Sequence, residues 1–108
     1  MKAIINTKLI LEDGIIFDGA LLYEGDKIVS LGRSCDVDIP EGAEVFDAQG
    51  LYTAPGLIDI HNHGTAEKLF SDDPLYCCEH FLKHGQTTVL PTFYQNMTFA
   101  QMAENAEK

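Results

Sequence analysis

The stretch Ala54-Pro55-Gly56-Leu57-Ile58-Asp59-Ile60-His61-Asn62-His63-Gly64 decides how the rest of the chain is read. Before it, short β-rich runs alternate with turn residues; after it, β and α patterns alternate. Leu57 to His63 reads as a strand, entered through Pro-Gly and left through Gly64. Strand side chains alternate between faces, so Asp59, His61 and His63 share one face while Ile58 and Ile60 share the other. The polar face is expected to look into a site and the apolar face to meet covering helices.

On the N-terminal side, six runs read as strands: Ala3 to Asn6, Leu9 to Leu11, Ile15 to Phe17, Ala20 to Tyr23, Lys27 to Leu31 and Glu44 to Asp47. Glu12-Asp13-Gly14, Glu24-Gly25-Asp26 and Glu41-Gly42 supply turn residues, and Gly25-Asp26 reads as a tight hairpin. A plain β-meander with no function of its own satisfies this part. On the C-terminal side, Ser71-Asp72-Asp73-Pro74 predicts a helix start and Lys83-His84-Gly85 a helix stop. Leu75, Cys78, Phe81 and Leu82 fall on one face of that helix and are expected to bury against a sheet. Gln86 to Thr92 reads as a second strand, and Thr98 to Gln101 as a capping box opening a second helix that runs to Lys108. Two successive β-α units argue for a parallel sheet. A closed (β/α)₈ barrel needs about 200 residues or more, so a chain of 108 residues is expected to be a fragment holding its first quarter.

Seven Lys and Arg against seventeen Asp and Glu give a net charge of −10, with no basic cluster. Such a surface repels nucleic acid and anionic membranes, and a substrate phosphate would have to be held by residues elsewhere. No run of about 18 apolar residues marks a membrane span. The N-terminus lacks the pattern of a secretory signal, so a cytoplasmic location is expected, and Asn96-Met97-Thr98 is not read as a glycosylation acceptor. Three cysteines, two of them adjacent, do not form a disulfide framework; of Cys77 and Cys78, one is expected partly exposed and one buried.

His61 and His63 carry the chemistry, because two imidazoles on one strand face can grip one cation. H-x-H spacing alone also fits hydrogen-bonded strand residues. The Pro-Gly before the strand and the glycine after it, at the strand end where barrel sites lie, favour metal ligation. His80 and His84 are four apart on a helix but nearly opposite its apolar stripe, so they read as a solvated face.

The motif from Ala54 to Gly64 resembles the signature of the amidohydrolase superfamily, and Gly85-Gln86-Thr87-Thr88-Val89-Leu90-Pro91-Thr92 resembles the second barrel strand of N-acetylglucosamine-6-phosphate deacetylases. The β-rich opening is similar to the small β-sandwich that flanks their barrel. The resemblance implies an α+β fragment: a β-sandwich portion over residues 1–54, then the first two β/α units of a TIM-like (β/α)₈ barrel over residues 55–108. It further implies a divalent metal, usually zinc, with His61 and His63 as its first ligand pair. Some members replace these histidines and bind one metal, so keeping both implies capacity for two. The remaining ligands, a glutamate and two histidines, and the aspartate that serves as acid and base belong to later strands. No catalytic residue is therefore assigned here, and the fragment itself is expected to be inactive.

The activity implied for the full-length protein is removal of the acetyl group of N-acetylglucosamine 6-phosphate, giving glucosamine 6-phosphate and acetate. Two alternatives stand beside it: a cyclic-amidase or deaminase of the same superfamily, and a non-catalytic β-rich interaction module in which H-x-H is incidental. Unpaired strand edges and apolar faces in so short a chain lead us to expect a homo-oligomer. Light scattering should accordingly report a mass above that of one chain, and a clean monomer would overturn this expectation.

Overall fold

The computed structural model describes residues 1–93 and 96–108. Its first unit, Met1–Pro55, is organised around strand β1 (Lys2–Leu11), which pairs antiparallel with β2 (Gly14–Glu24). Strand β2 in turn pairs antiparallel with β3 (Lys27–Arg33) across the turn at Gly25-Asp26, where the sequence places a hairpin. The other edge of β1 carries two parallel partners, β4 (Glu44–Asp47) and β5 (Tyr52–Thr53). The result is one five-stranded sheet, where the resemblance implies part of a two-sheet sandwich.

Four of the short runs predicted from sequence are two long strands. Ala3–Asn6 and Leu9–Leu11 both lie in β1, and Ile15–Phe17 and Ala20–Tyr23 both lie in β2. The β1–β2 ladder shifts register between Ile4 and Thr7 and again between Thr7 and Leu9, and Asn6 adopts a left-handed φ of 52°. A bulge breaks the alternation of apolar and polar residues without ending the strand, so the pattern reads as two pieces. The two residues of β5 are too few to leave a periodic signal.

One face of this sheet is packed. Ala3, Ala20 and Leu22 are buried with Val37, and Ile5 and Ile39 pack against them. Val37 and Ile39 come from the segment after a 3₁₀ turn at Ser34–Asp36, which is laid across the small side chains of the strands. The bulge in β1 is stitched to the β4–β5 connection: Ala48 N donates to Ile5 O (2.9 Å), Gly50 N to Asn6 O (2.7 Å) and Lys8 N to Leu51 O (3.0 Å). Thr7 is fully buried there, and its hydroxyl donates to Leu51 O (2.9 Å) and lies 2.7 Å from the Thr53 hydroxyl.

The second unit, Gly56–Lys108, runs β6 (Leu57–Asn62), α1 (Pro74–Leu82), β7 (Gln86–Pro91) and α2 (Phe99–Ala106), with β6 and β7 parallel. The ends of α1 lie close to where the sequence sets them. Asp73 caps it, accepting from Tyr76 N at 3.0 Å, with Pro74 in the first turn. Lys68, 2.8 Å from Asp73, and then the Tyr76 amide hold the Asp73 carboxyl below its ordinary value. The stabilisation from that shift is present above the ordinary carboxylate pKa and disappears as pH falls through the lowered one. At the other end Gly85 N donates to Leu82 O (3.0 Å) with φ of 83° at Gly85. The capping box of α2 is formed, with Thr98 and Gln101 exchanging side-chain to backbone hydrogen bonds.

The apolar stripe expected on α1 is only partly buried: Cys78, Phe81 and Leu82 line one hollow with Gln86 to Val89 of β7, and of the four stripe residues Phe81 alone is half-buried. Leu75 and Leu82 are exposed at 69% and 62%, Cys78 is exposed, and Cys77 is buried instead. The segment before the helix decides this. Phe70 is buried and stacks on Phe81 with ring centroids 6.0 Å apart, and Cys77 Sγ donates to Lys68 O. Residues 68–70 thus claim the Cys77 face of the helix. Ile58 and Ile60, expected under covering helices, are exposed as well, because α1 lies along β7 and no described element covers them. No helix among the described residues is long and apolar enough to cross a membrane.

Replacing a buried, hydrogen-bonded hydroxyl by a methyl group of similar shape removes the bond and leaves its partners unsatisfied. Thr7→Val should lower the stability of the sheet unit by about 1–2 kcal/mol, read as a lower denaturant midpoint with an unchanged slope.

Candidate metal site

Two glycines shape the approach to the site. A Cβ on Gly56 would fall 2.1 Å from Thr87 Oγ1, so the Pro-Gly entry lets β6 lie against β7 where a side chain would block it. Gly64 has φ of 139°, and a Cβ there would fall 2.4 Å from Lys68 O. The chain leaves β6 through this glycine and folds back, with Thr65 N donating to Lys68 O (2.7 Å) and Phe70 N to His63 O (2.9 Å).

Parallel pairing sets the C-terminal ends of β6 and β7 side by side. Thr92 N donates to Asn62 O at 2.8 Å, continuing the ladder past Pro91. The Thr92 carbonyl meets His63 Nδ1 at 2.6 Å. A carbonyl can only accept, so Nδ1 of His63 carries the proton, and Nε2 of the neutral ring presents its lone pair.

That lone pair faces His61. The two Nε2 atoms are 3.3 Å apart, and the rings meet edge to face with centroids 5.0 Å apart at 87°. Two nitrogens each about 2.0–2.1 Å from a tetrahedral zinc are separated by about 3.3–3.4 Å. The spacing therefore fits one edge of such a coordination shell, and His61 is exposed while His63 is half-buried, leaving an approach for a cation. Among the described residues, no group of three or more His, Cys, Asp or Glu side chains comes together for a metal ion. The pair supplies two ligands.

Asp59, expected on the same face, turns its carboxylate back to the chain. Oδ1 accepts from His61 N (3.1 Å) and Oδ2 from Asn62 Nδ2 (2.8 Å). These two bonds, that to Asn62 first, hold its carboxyl below the ordinary value. Asn62 Oδ1 accepts from Gly64 N at 2.8 Å. Sequence reasoning passed over Asn62 and Thr92; an amide set between two histidines, two residues before a glycine, is the one local sign of the first.

His80 and His84 are stacked on the helix surface, centroids 4.8 Å apart, with His84 Nδ1 donating to His80 O at 2.8 Å. His80 also stacks near Tyr76, at 6.4 Å. Cys35 and Cys78 are exposed and Cys77 buried, all three as free thiols.

No family model matches the chain. It is 39% identical over 64 residues to a dihydroorotase of Lactobacillus leichmannii, covering 58% of this chain and 14% of that protein. It is 43% identical over 61 residues to an adenine deaminase of Leuconostoc citreum, covering 56% of this chain and 10% of that protein. Among solved structures, it is similar to N-acetylglucosamine-6-phosphate deacetylase of Pasteurella multocida, with a TM-score of 0.79 and 26% identity over 98% of this chain and 28% of that one. The chain thus spans a small part of the length of each.

The tautomer of His63 is open to direct measurement. Long-range ¹H–¹⁵N NMR on the metal-free chain, at a pH where imidazole is neutral, should find His63 protonated at Nδ1 and not at Nε2.

Proposed function

We propose, for a chain that belongs to the N-terminal region of the amidohydrolase superfamily, that its full-length protein hydrolyses a carbon–nitrogen bond with a divalent cation held in part by His61 and His63. The observation that carries this reading is the convergence of the two Nε2 atoms at 3.3 Å, with His63 oriented through Nδ1 by the Thr92 carbonyl. When bound, a divalent cation such as zinc supplies Lewis acidity to a carbonyl and lowers the pKa of water toward neutrality. His61 and His63 bind, and the Thr92 carbonyl orients His63 through Nδ1. In this reading β6-α1-β7-α2 forms the first two units of a (β/α)₈ barrel, whose sites lie at the C-terminal ends of the strands, where both histidines stand.

The substrate we propose is N-acetylglucosamine 6-phosphate. Water oxygen bonds to the acetyl carbon, the carbon–nitrogen bond breaks, and both water protons end on the departing nitrogen, giving acetate and glucosamine 6-phosphate in its ammonium form. The structural likeness to the Pasteurella deacetylase, which extends over 98% of this chain, supports this choice. The net charge of −10 favours a phosphate site outside this stretch, and the family resemblance implies that the general acid and base stand on later strands. A cyclic amide or a nucleobase is the second reading, favoured by the sequence likenesses to dihydroorotase and adenine deaminase. A self-associating, cytoplasmic protein completes the proposal.

Calorimetric titration with zinc tests the site. The wild-type chain should bind weakly, as two protein ligands allow. The His61→Ala/His63→Ala variant, with its fold checked by circular dichroism, should lose binding, and His80→Ala/His84→Ala should keep it. Equal binding by the first variant and wild type would remove the site. Assay of zinc-loaded full-length protein on N-acetylglucosamine 6-phosphate, dihydroorotate and adenine then separates the substrates.

A further inference from the structure

A strand puts two imidazoles on one face but does not by itself fix where their nitrogens meet. Side chains two residues apart share a face, but each ring still turns about its own bonds. Here the β6–β7 ladder shifts register between Asp59 and Asn62, across the stretch that carries His61. The ladder alone therefore does not set the backbone on which the two rings stand.

Side chains span the irregular stretch. Asp59 Oδ1 accepts from His61 N at 3.1 Å, Asp59 Oδ2 accepts from Asn62 Nδ2 at 2.8 Å, and Asn62 Oδ1 accepts from Gly64 N at 2.8 Å. The three bonds form one continuous bridge that begins before His61 and ends after His63. Both residues are half-buried, and the bonds from Asn62 Nδ2 and Gly64 N are partly shielded from competition by water.

We infer that Asp59 and Asn62 are positioning residues for the His61–His63 pair: their bridge holds the irregular stretch of backbone on which the two Nε2 atoms stand 3.3 Å apart. The inference rests on the proposed metal site and deepens it. Neither residue is a ligand in this account. Their contribution is preorganisation, which appears as metal affinity because an unbraced pair must be ordered when the cation binds.

The bridge requires one carboxylate and one amide and is indifferent to their order. In Asp59→Asn/Asn62→Asp, the new amide at 59 accepts from His61 N and donates to the new carboxylate at 62, which accepts from Gly64 N. The net charge is unchanged. Asn62→Ala also leaves the charge unchanged but removes the middle and last bonds.

Zinc titration of the 108-residue chain, followed by calorimetry and by the imidazole ¹⁵N signals of His61 and His63, tests the inference. Asn62→Ala should bind about tenfold more weakly than wild type, and the exchanged double variant within about twofold of it. The imidazole ¹⁵N signals of His61 and His63, which a role in general stability would leave in place in the folded chain, should shift in Asn62→Ala and return in the exchanged variant. Asn62→Ala binding as tightly as wild type, or a folded exchange variant as weak as Asn62→Ala, would overturn the inference and leave the metal site standing. Failure of wild type itself to bind would remove both. Should circular dichroism show Asn62→Ala unfolded, Asn62→Ser takes its place, since it keeps an acceptor near Gly64 N but is too short to reach Asp59.

Discussion

The hydrogen bond from the Thr92 amide to the Asn62 carbonyl closes the parallel ladder at the end where His61 and His63 stand. Because β6 and β7 run in the same direction, the end of one strand lies beside the end of the other, and a backbone group from β7's exit can serve a side chain on β6. The Thr92 carbonyl does so for His63 Nδ1. An antiparallel pairing would bring the start of a strand to that place. The helical crossover through α1 is the cost of parallel pairing, and its capping by Asp73 and ending at Gly85 keep it short.

Much of the second unit is legible in the sequence because its signals are local. An aspartate and a proline start α1, a glycine follows its end, a threonine and a glutamine three residues on open α2, and two-residue spacing sets His61 and His63 on one face. The burial of α1 is not local. Counting along the helix finds the stripe of Leu75, Cys78, Phe81 and Leu82, but Phe70 lies outside the helix, stacks on Phe81, and leaves Cys77 as the buried residue. A periodicity argument describes one helix by itself and carries no information about which neighbour arrives first.

The sheet unit and the site share another source of illegibility. Register shifts in β1 and in β6 leave no sign in residue type beyond a polar residue where an apolar one would continue the pattern. At Asn6 this makes one strand look like two. At Asp59 and Asn62 it hides the bridge, since an aspartate near histidines reads naturally as a further ligand or an orienting partner. That its carboxylate turns to His61 N and Asn62 is visible only in three dimensions.

Strand β1 takes partners from three parts of the first unit: β2 on one edge, β4 and β5 on the other. Only the first of these is a hairpin neighbour. The parallel partners are joined to β1 across some forty residues, as between Lys2 and Glu44 or Lys8 and Tyr52. Closing such loops costs chain entropy before any ladder bond is gained, so β1, β2 and β3 can assemble early and the β4–β5 edge must follow. On a ribosome the order is stricter still, because the carbonyl that receives the Thr7 hydroxyl belongs to Leu51. Until that residue has emerged, the kink at Asn6 has nothing to bind, and one edge of the first strand stays open to whatever else could pair with it.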